Sequence, residues 1–203
     1  VELLDDVTTA VLVSGSCNAI LKRPDGSLLG NMFDGEGFVR AVRRKGFAPT
    51  GKKILVVGSG GVGSAIAASF AAANAAVVAL HDASSEAMSG LADRLRMHYP
   101  KLSVTTGSND PAGYDLVVNA TPLGMNVGDP MPMDVTRISP ATFVGDVVMK
   151  QEMTPFLMAA KKRGCKIQVG VDMLFEQIPA YLEFFGFPTT TPEELIQLAE
   201  IRY

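Results

Sequence analysis

One string of residues has the types and spacing to hold a phosphate-bearing ligand. Gly58-Ser59-Gly60-Gly61-Val62-Gly63 follows the apolar run Ile54-Leu55-Val56-Val57 and opens an Ala-rich run, so glycines 58, 60 and 63 fill the three slots of a G-x-G-x-x-G turn. Between a strand and a helix, the first glycine permits a tight turn, the second lets the backbone approach a pyrophosphate, and the third lets helix and strand pack closely. The free N–H groups and the helix dipole at that point favour phosphate charge. Asp82 lies 19 positions beyond Gly63 (82 − 63), just past the next apolar run. A carboxylate there accepts hydrogen bonds from the adenosine ribose hydroxyls and repels a 2′-phosphate, which favours NAD over NADP. Asp82 also opens Asp82-Ala83-Ser84-Ser85, a good helix start, so a capping role competes with the ribose role.

The elements that must position this turn follow from periodicity and breakers. Residues 11–14 and 17–22 are apolar and β-branched enough for short strands, and Pro24-Asp25-Gly26-Ser27 makes a hairpin-type turn. Residues 1–5 have a helix-like pattern. From Asp34 the spacing is helical, with Phe38, Val39 and Val42 on one stripe and Gly46 ending the helix. Strands are then expected at 52–57, 76–80, 102–106, 115–118, 142–148 and 166–169, and helices at 62–73, 84–97, 154–163, 174–185 and 192–202. Repeated βα units with continuously apolar strands imply an α/β protein: a doubly wound, Rossmann-type parallel sheet covered by helices on both faces.

Bulk composition removes several classes. The 203 residues are 47% hydrophobic and 19% charged, as in a folded globular protein and not a disordered one. A net charge of −3 gives no basic field for nucleic acid, and the local cluster Arg40, Arg43, Arg44 and Lys45 is expected to be a solvated helix end. Cys17 and Cys165 belong to no metal-binding pattern, so no metal is expected and a reduced, cytoplasmic setting is the default. His81 and His98 read as edge and surface groups. No stretch reaches the length of a membrane span, so no membrane partner is expected. The chain opens on Val1 without Met, which gives the expectation of a chain cut inside a larger protein.

Five further strings occur in one order: Gly15-Ser16-Cys17-Asn18-Ala19, the run from Gly30 to Phe38, the run from Asn119 to Met125, Asp146-Val147-Val148 with Thr154-Pro155, and the run from Gly170 to Gln177. With the glycine turn, this order and spacing resembles the shikimate/quinate dehydrogenase family along nearly the whole chain. The resemblance implies a substrate lobe facing a Rossmann lobe across a cleft, with hydride passing between the nicotinamide and the hydroxyl-bearing carbon of a small-molecule substrate. It assigns residues 1–33 and 174–203 to what remains of the substrate domain, and 34–173 to the dinucleotide domain. It makes Asn18 a ligand to substrate hydroxyls, Asp34 the carboxylate of a catalytic Lys/Asp pair, and Gln177 the residue closing over substrate. It places Asn119, Thr121 and Gly124 on a loop beside the cofactor, and Val147 and Gly170 near the nicotinamide. The bland alternatives are an N-cap role for Asp34, a turn role for Asn18 and an ordinary polar helix face for Gln177.

The departures matter as much. Ala19 and Phe33 stand where the family carries hydroxyl residues, and Met149 stands where it often carries a tyrosine that touches substrate. Losing that donor loosens or changes hydroxyl recognition. His81-Asp82-Ala83 replaces the family's Asn-Arg-Thr clamp for NADP, in line with NAD. No lysine precedes Lys22, so the chain as written offers no partner for Asp34 and is expected to bind cofactor without turnover. Two readings follow: a divergent NAD-dependent shikimate or quinate dehydrogenase, or a non-catalytic ligand-binding regulator resembling the same family.

Overall fold

The computed structural model describes residues 1–201. A small sheet comes first in the chain, formed by β1 (Asp6–Val7), β2 (Ala19–Lys22) and β3 (Leu28–Asn31) in spatial order β1-β3-β2. β2 and β3 are the arms of a hairpin and β1 pairs parallel to β3. Helix α1 (Thr9–Ser14) lies between β1 and β2, and α2 (Asp34–Arg44) leaves the small sheet toward the large one.

The large sheet comprises β4 (Lys53–Val57), β5 (Val77–His81), β6 (Ser103–Thr106), β7 (Leu116–Asn119), β8 (Phe143–Asp146) and β9 (Ile167–Gln168). Every pair is parallel and the spatial order is β6-β5-β4-β7-β8-β9. Helices α3 (Gly61–Ala72), α4 (Ser85–His98), α5 (Pro155–Lys162), α6 (Gly170–Phe185) and α7 (Pro192–Leu198) complete the chain. Strand residues point alternately to the two faces. Ile54 and Val56 enter one core with Phe38, Ile66 and Phe70, while Leu55 and Val57 enter another with Phe156 and Leu157. Burial on both faces is why these strands read as unbroken apolar runs. Each fully buried Ile, Leu or Phe contributes about 1.5–3 kcal/mol. The order reverses between β4 and β7, and a crevice outside the carboxyl ends at such a point is where doubly wound sheets take ligands.

Four local expectations fail. Residues 11–14 are helix α1, not strand, because Leu12 N–H bonds to the Thr8 carbonyl and Gly15 N–H to that of Val11, with Gly15 closing the turn at φ 71°. A short apolar run carries no decisive period, and packing of α1 on α3 and α4 selects the helix. Residues 1–5 form a turn, since Leu3 is exposed and only Asp6 and Val7 find ladder partners. Helix α6 begins at Gly170, four residues before the expected 174, because Asp172 accepts from the Val169 N–H and caps the earlier start. Helix α7 ends at Leu198; the expected end, Arg202, lies outside the described residues. No described helix is long and apolar enough to cross a membrane.

Candidate active site

The glycine turn is built as the spacing requires. Gly58 has φ 109°, and a Cβ there would lie 2.6 Å from the Ala120 carbonyl oxygen. A Cβ on Gly63 would lie 2.0 Å from the Gly58 carbonyl oxygen, so the third glycine is needed for close packing. Gly60 faces open space, with no atom within 4 Å of where its Cβ would be. That gap sits at the first turn of α3, whose leading N–H groups have no carbonyl partner within the helix. The residues present therefore fit a diphosphate: Gly60 to Gly63 would hold it through backbone N–H groups.

Asp82 is tied to the same turn. Its Oδ2 accepts from the Ser59 N–H at 2.6 Å, and its Oδ1 accepts from the Ser84 N–H at 2.8 Å. Ser84, not Asp82, caps α4 by accepting from the Ala87 N–H. Each carboxylate oxygen keeps a lone pair for a ribose hydroxyl. Asp82, Gly58, Gly60, Thr121 and Leu123 line one cleft of about 490 Å³ at the carboxyl edge of the sheet.

The loop after β7 is held from within. Asn119 is fully buried, donating from Nδ2 to the Leu123 carbonyl at 2.9 Å and to Asp146 Oδ1 at 3.0 Å. Its Oδ1 accepts from the N–H and the hydroxyl of Thr121. The polar groups of Asn119 thus shape the loop, and the surface offered to the cleft is that of residues 120–123. Gly124 turns at φ 98°, with its N–H on Asp129 and its carbonyl taking the Gln151 amide. Val147 and Gly170 come together: a Cβ on Gly170 would lie 2.9 Å from the Val147 carbonyl carbon, so glycine lets α6 start against that segment.

Sequence reasoning passed over Asp146 as a site residue. This buried carboxylate, at the end of β8, accepts from Asn119, from the Val148 N–H at 3.0 Å and from the Thr154 hydroxyl at 2.7 Å. Burial pushes its pKa up, and the bonds from Thr154, Val148 and Asn119 pull against that. The available signal was an acid within the otherwise apolar run Phe143-Val144-Gly145-Asp146-Val147-Val148.

Asn18, Asp34 and Gln177, far apart in sequence, meet. Asn18 Nδ2 donates to Asp34 Oδ1 at 2.8 Å, and Gln177 Nε2 donates to the same oxygen. Asn18 is fixed in turn by accepting from the Phe33 N–H at 3.0 Å. Asp34 is the first residue of α2 but makes no capping bond, and Phe33 occupies the cap position. Asp34 Oδ2 has no hydrogen-bond partner among the described residues. Burial pushes the Asp34 carboxyl above its ordinary range, opposed by the bonds from Gln177 and Asn18.

Two glycines set this cluster against its surroundings. A Cβ on Gly37 would lie 2.7 Å from the Met173 carbonyl oxygen, so α2 and α6 touch backbone to backbone and Gln177 reaches Asp34. A Cβ on Gly35 would lie 1.9 Å from the Ala65 carbonyl oxygen. Ala65 is four residues past Gly61, a rise of about 6 Å, so the start of α2, next to Asp34, packs on α3 about one turn past the glycine turn. The basic cluster on α2 is not simply solvated: Arg44 pairs with Glu176 at 2.7 Å, Arg40 with Glu183 at 2.8 Å, and Lys45 with Asp172. These pairs fasten α6, and hence Gln177, to α2.

No family model matches the chain. It is 35% identical over 179 residues to a shikimate dehydrogenase (NADP(+)) of Rubrobacter xylanophilus, covering 86% of this chain and 63% of that protein. It is 32% identical over 192 residues to a shikimate dehydrogenase (NADP(+)) of Acidiphilium cryptum, covering 94% of this chain and 68% of that one. Among solved structures, the quinate dehydrogenase from Corynebacterium glutamicum in complex with NAD superposes with a TM-score of 0.85 at 26% identity, covering 98% of this chain and 73% of that one. The chain thus spans about two thirds of the length of the relatives it matches. Identity and coverage of this extent, together with the shared fold, place the chain in the shikimate dehydrogenase family.

Proposed function

We propose that this chain serves an oxidoreductase that moves hydride between a nicotinamide dinucleotide and a hydroxyl or keto carbon of shikimate or quinate, with NAD preferred to NADP. Residues 34–173 form the dinucleotide side, and residues 1–33 and 174–203 contribute to the substrate side. The observation that carries the reading is Asp34: its Oδ1 is held by Asn18 and Gln177, and its Oδ2 is left to accept from a substrate hydroxyl near the glycine turn. When bound, the nicotinamide supplies the hydride acceptor. The chain's own residues hold the diphosphate at Gly60 to Gly63, orient the ribose through Asp82, and fix the hydroxyl-bearing carbon through Asp34, Asn18 and Gln177. Asn119, Thr121, Gly124, Val147 and Gly170 shape the walls along which the cofactor runs.

The NAD preference rests on the Asp82 carboxylate, which sits on the Ser59 N–H where a 2′-phosphate would meet like charge. The relatives' names specify NADP(+), so this chain is proposed to diverge from them in cofactor choice. A second reading, a ligand-binding regulator without turnover, is favoured by one observation: among the described residues no lysine pairs with Asp34. Full-length protein mixed with shikimate or quinate and each dinucleotide at alkaline pH separates the two. Growth of the reduced-nicotinamide absorbance supports the enzyme, and binding of the acid without that growth supports the regulator.

A further inference from the structure

Tyr181 lies one turn beyond Gln177 on α6, at the i, i+4 spacing that puts both side chains on one helix face. Its ring centroid is 4.9 Å from that of Phe33, the residue directly before Asp34. Burial raises the Tyr181 phenol pKa, and the Asp34 carboxylate raises it further. The ring is half-buried on a small apolar seat made by Ala19, Phe33 and Ala180. Its hydroxyl makes no hydrogen bond among the described residues and is not among the buried polar groups that lack a partner, so it is open to solvent or a ligand.

The seat has a cause in the sequence. Ala19 and Phe33 offer only apolar surface on this side, and the Tyr181 ring packs against it. With Asp34 Oδ2 and the Gln177 carbonyl oxygen, the Tyr181 hydroxyl makes three polar groups beside Phe33 that have no partner among the described residues. A carboxylate and a carbonyl can only accept, and a phenol can also donate. That set suits adjacent hydroxyls on a ring.

We propose that Tyr181 is a substrate-binding residue whose hydroxyl pairs with a ring hydroxyl next to the one held by Asp34, an assignment that rests on the cyclic polyol acid reading above. The competing reading is an aromatic at the edge of the core with its hydroxyl in water. Tyr181→Phe distinguishes them, because it keeps the ring against Phe33 and removes only the oxygen.

The test is calorimetric titration of full-length, NAD-saturated protein with shikimate and with quinate. Tyr181→Phe should weaken the tighter-binding acid about five- to tenfold, with NAD affinity and melting temperature unchanged. The difference between the two proteins should vanish for one monodeoxy analogue of that acid and persist for the others. Equal affinity of both proteins for both acids overturns the Tyr181 assignment and leaves the polyol reading standing. Failure of the unaltered protein to bind either acid overturns both. Should Tyr181→Phe not fold, ring-labelled tyrosine in the unaltered protein decides: saturating acid must shift the Tyr181 ζ-carbon signal, and an unmoved signal overturns the assignment.

Discussion

Gln177 on α6 donates its side-chain amide to Oδ1 of Asp34 on α2, the same oxygen that Asn18 uses, so one edge of the carboxylate is anchored and the other is open. The charge state of Asp34 then has opposite effects on folding and on binding. Burial raises its folded pKa, so between the ordinary aspartate value and the raised one the native state binds more protons than the unfolded chain. This contribution to stability is fully present below the ordinary value and is lost as pH rises through the folded value. Accepting a substrate hydroxyl needs the ionised form, so shikimate affinity should fall as pH drops through the raised value. Comparing wild type with Asp34→Asn removes the titration of shikimate's own carboxyl, which both proteins share. An identical acid limb in the two would show that Asp34 does not carry the effect.

Two glycines of the turn, Gly60 and Gly63, should behave differently on substitution. Gly63→Ala drives a methyl to 2.0 Å from the Gly58 carbonyl oxygen and should lower the melting temperature by several degrees. Gly60→Ala meets nothing within 4 Å, so folding should be unchanged while NAD affinity falls about tenfold or more as the methyl occupies the diphosphate's place. Calorimetry for binding and circular dichroism for melting check both. Undiminished NAD affinity in Gly60→Ala would remove the diphosphate from this turn.

Asp82 should set cofactor choice. Asp82→Ala removes the acceptor and the negative charge together, and should move the NAD to NADP preference toward NADP by about 10-fold or more, with Asp82→Arg moving it further. The ratio of kcat/KM for the two dinucleotides, or of their Kd values if there is no turnover, reads this directly. An unaltered ratio would leave Asp82 as a brace between the glycine turn and α4.

Asp146 should be costly to remove. Asp146→Ala strips the acceptor from Asn119, from the Val148 N–H and from the Thr154 hydroxyl, all in a buried setting. Urea denaturation should show a loss of about 2–5 kcal/mol, with weaker dinucleotide binding because the 120–124 loop hangs from Asn119. A loss below about 1 kcal/mol would mean that the network rearranges around the gap.

What the sequence made legible follows the physics of each signal. The large sheet's strands and its longer helices were readable because residues such as Ile54 to Val57 are apolar on both faces and Gly58 ends the run sharply. Residues 11–14 were not, since four residues hold no decisive period and contacts with α3 and α4 determine their shape. Asn18, Asp34 and Gln177 were named through the order of their motifs, but nothing local showed that two amides would converge on one oxygen. Asp146 and the pairs Arg44–Glu176 and Arg40–Glu183 escaped because their meaning lies in partners distant in sequence.

The most direct test of the account is Asp34→Asn in the full-length protein, with shikimate or quinate oxidation and NAD affinity measured side by side. The carbonyl oxygen of asparagine can keep the bonds from Asn18 and Gln177 while its amide replaces the open Oδ2. Turnover should fall about 10²–10⁴-fold with NAD affinity unchanged. Retained turnover, or NAD affinity lost in step with it, would contradict the placement of a substrate-facing carboxylate beside an independent dinucleotide site.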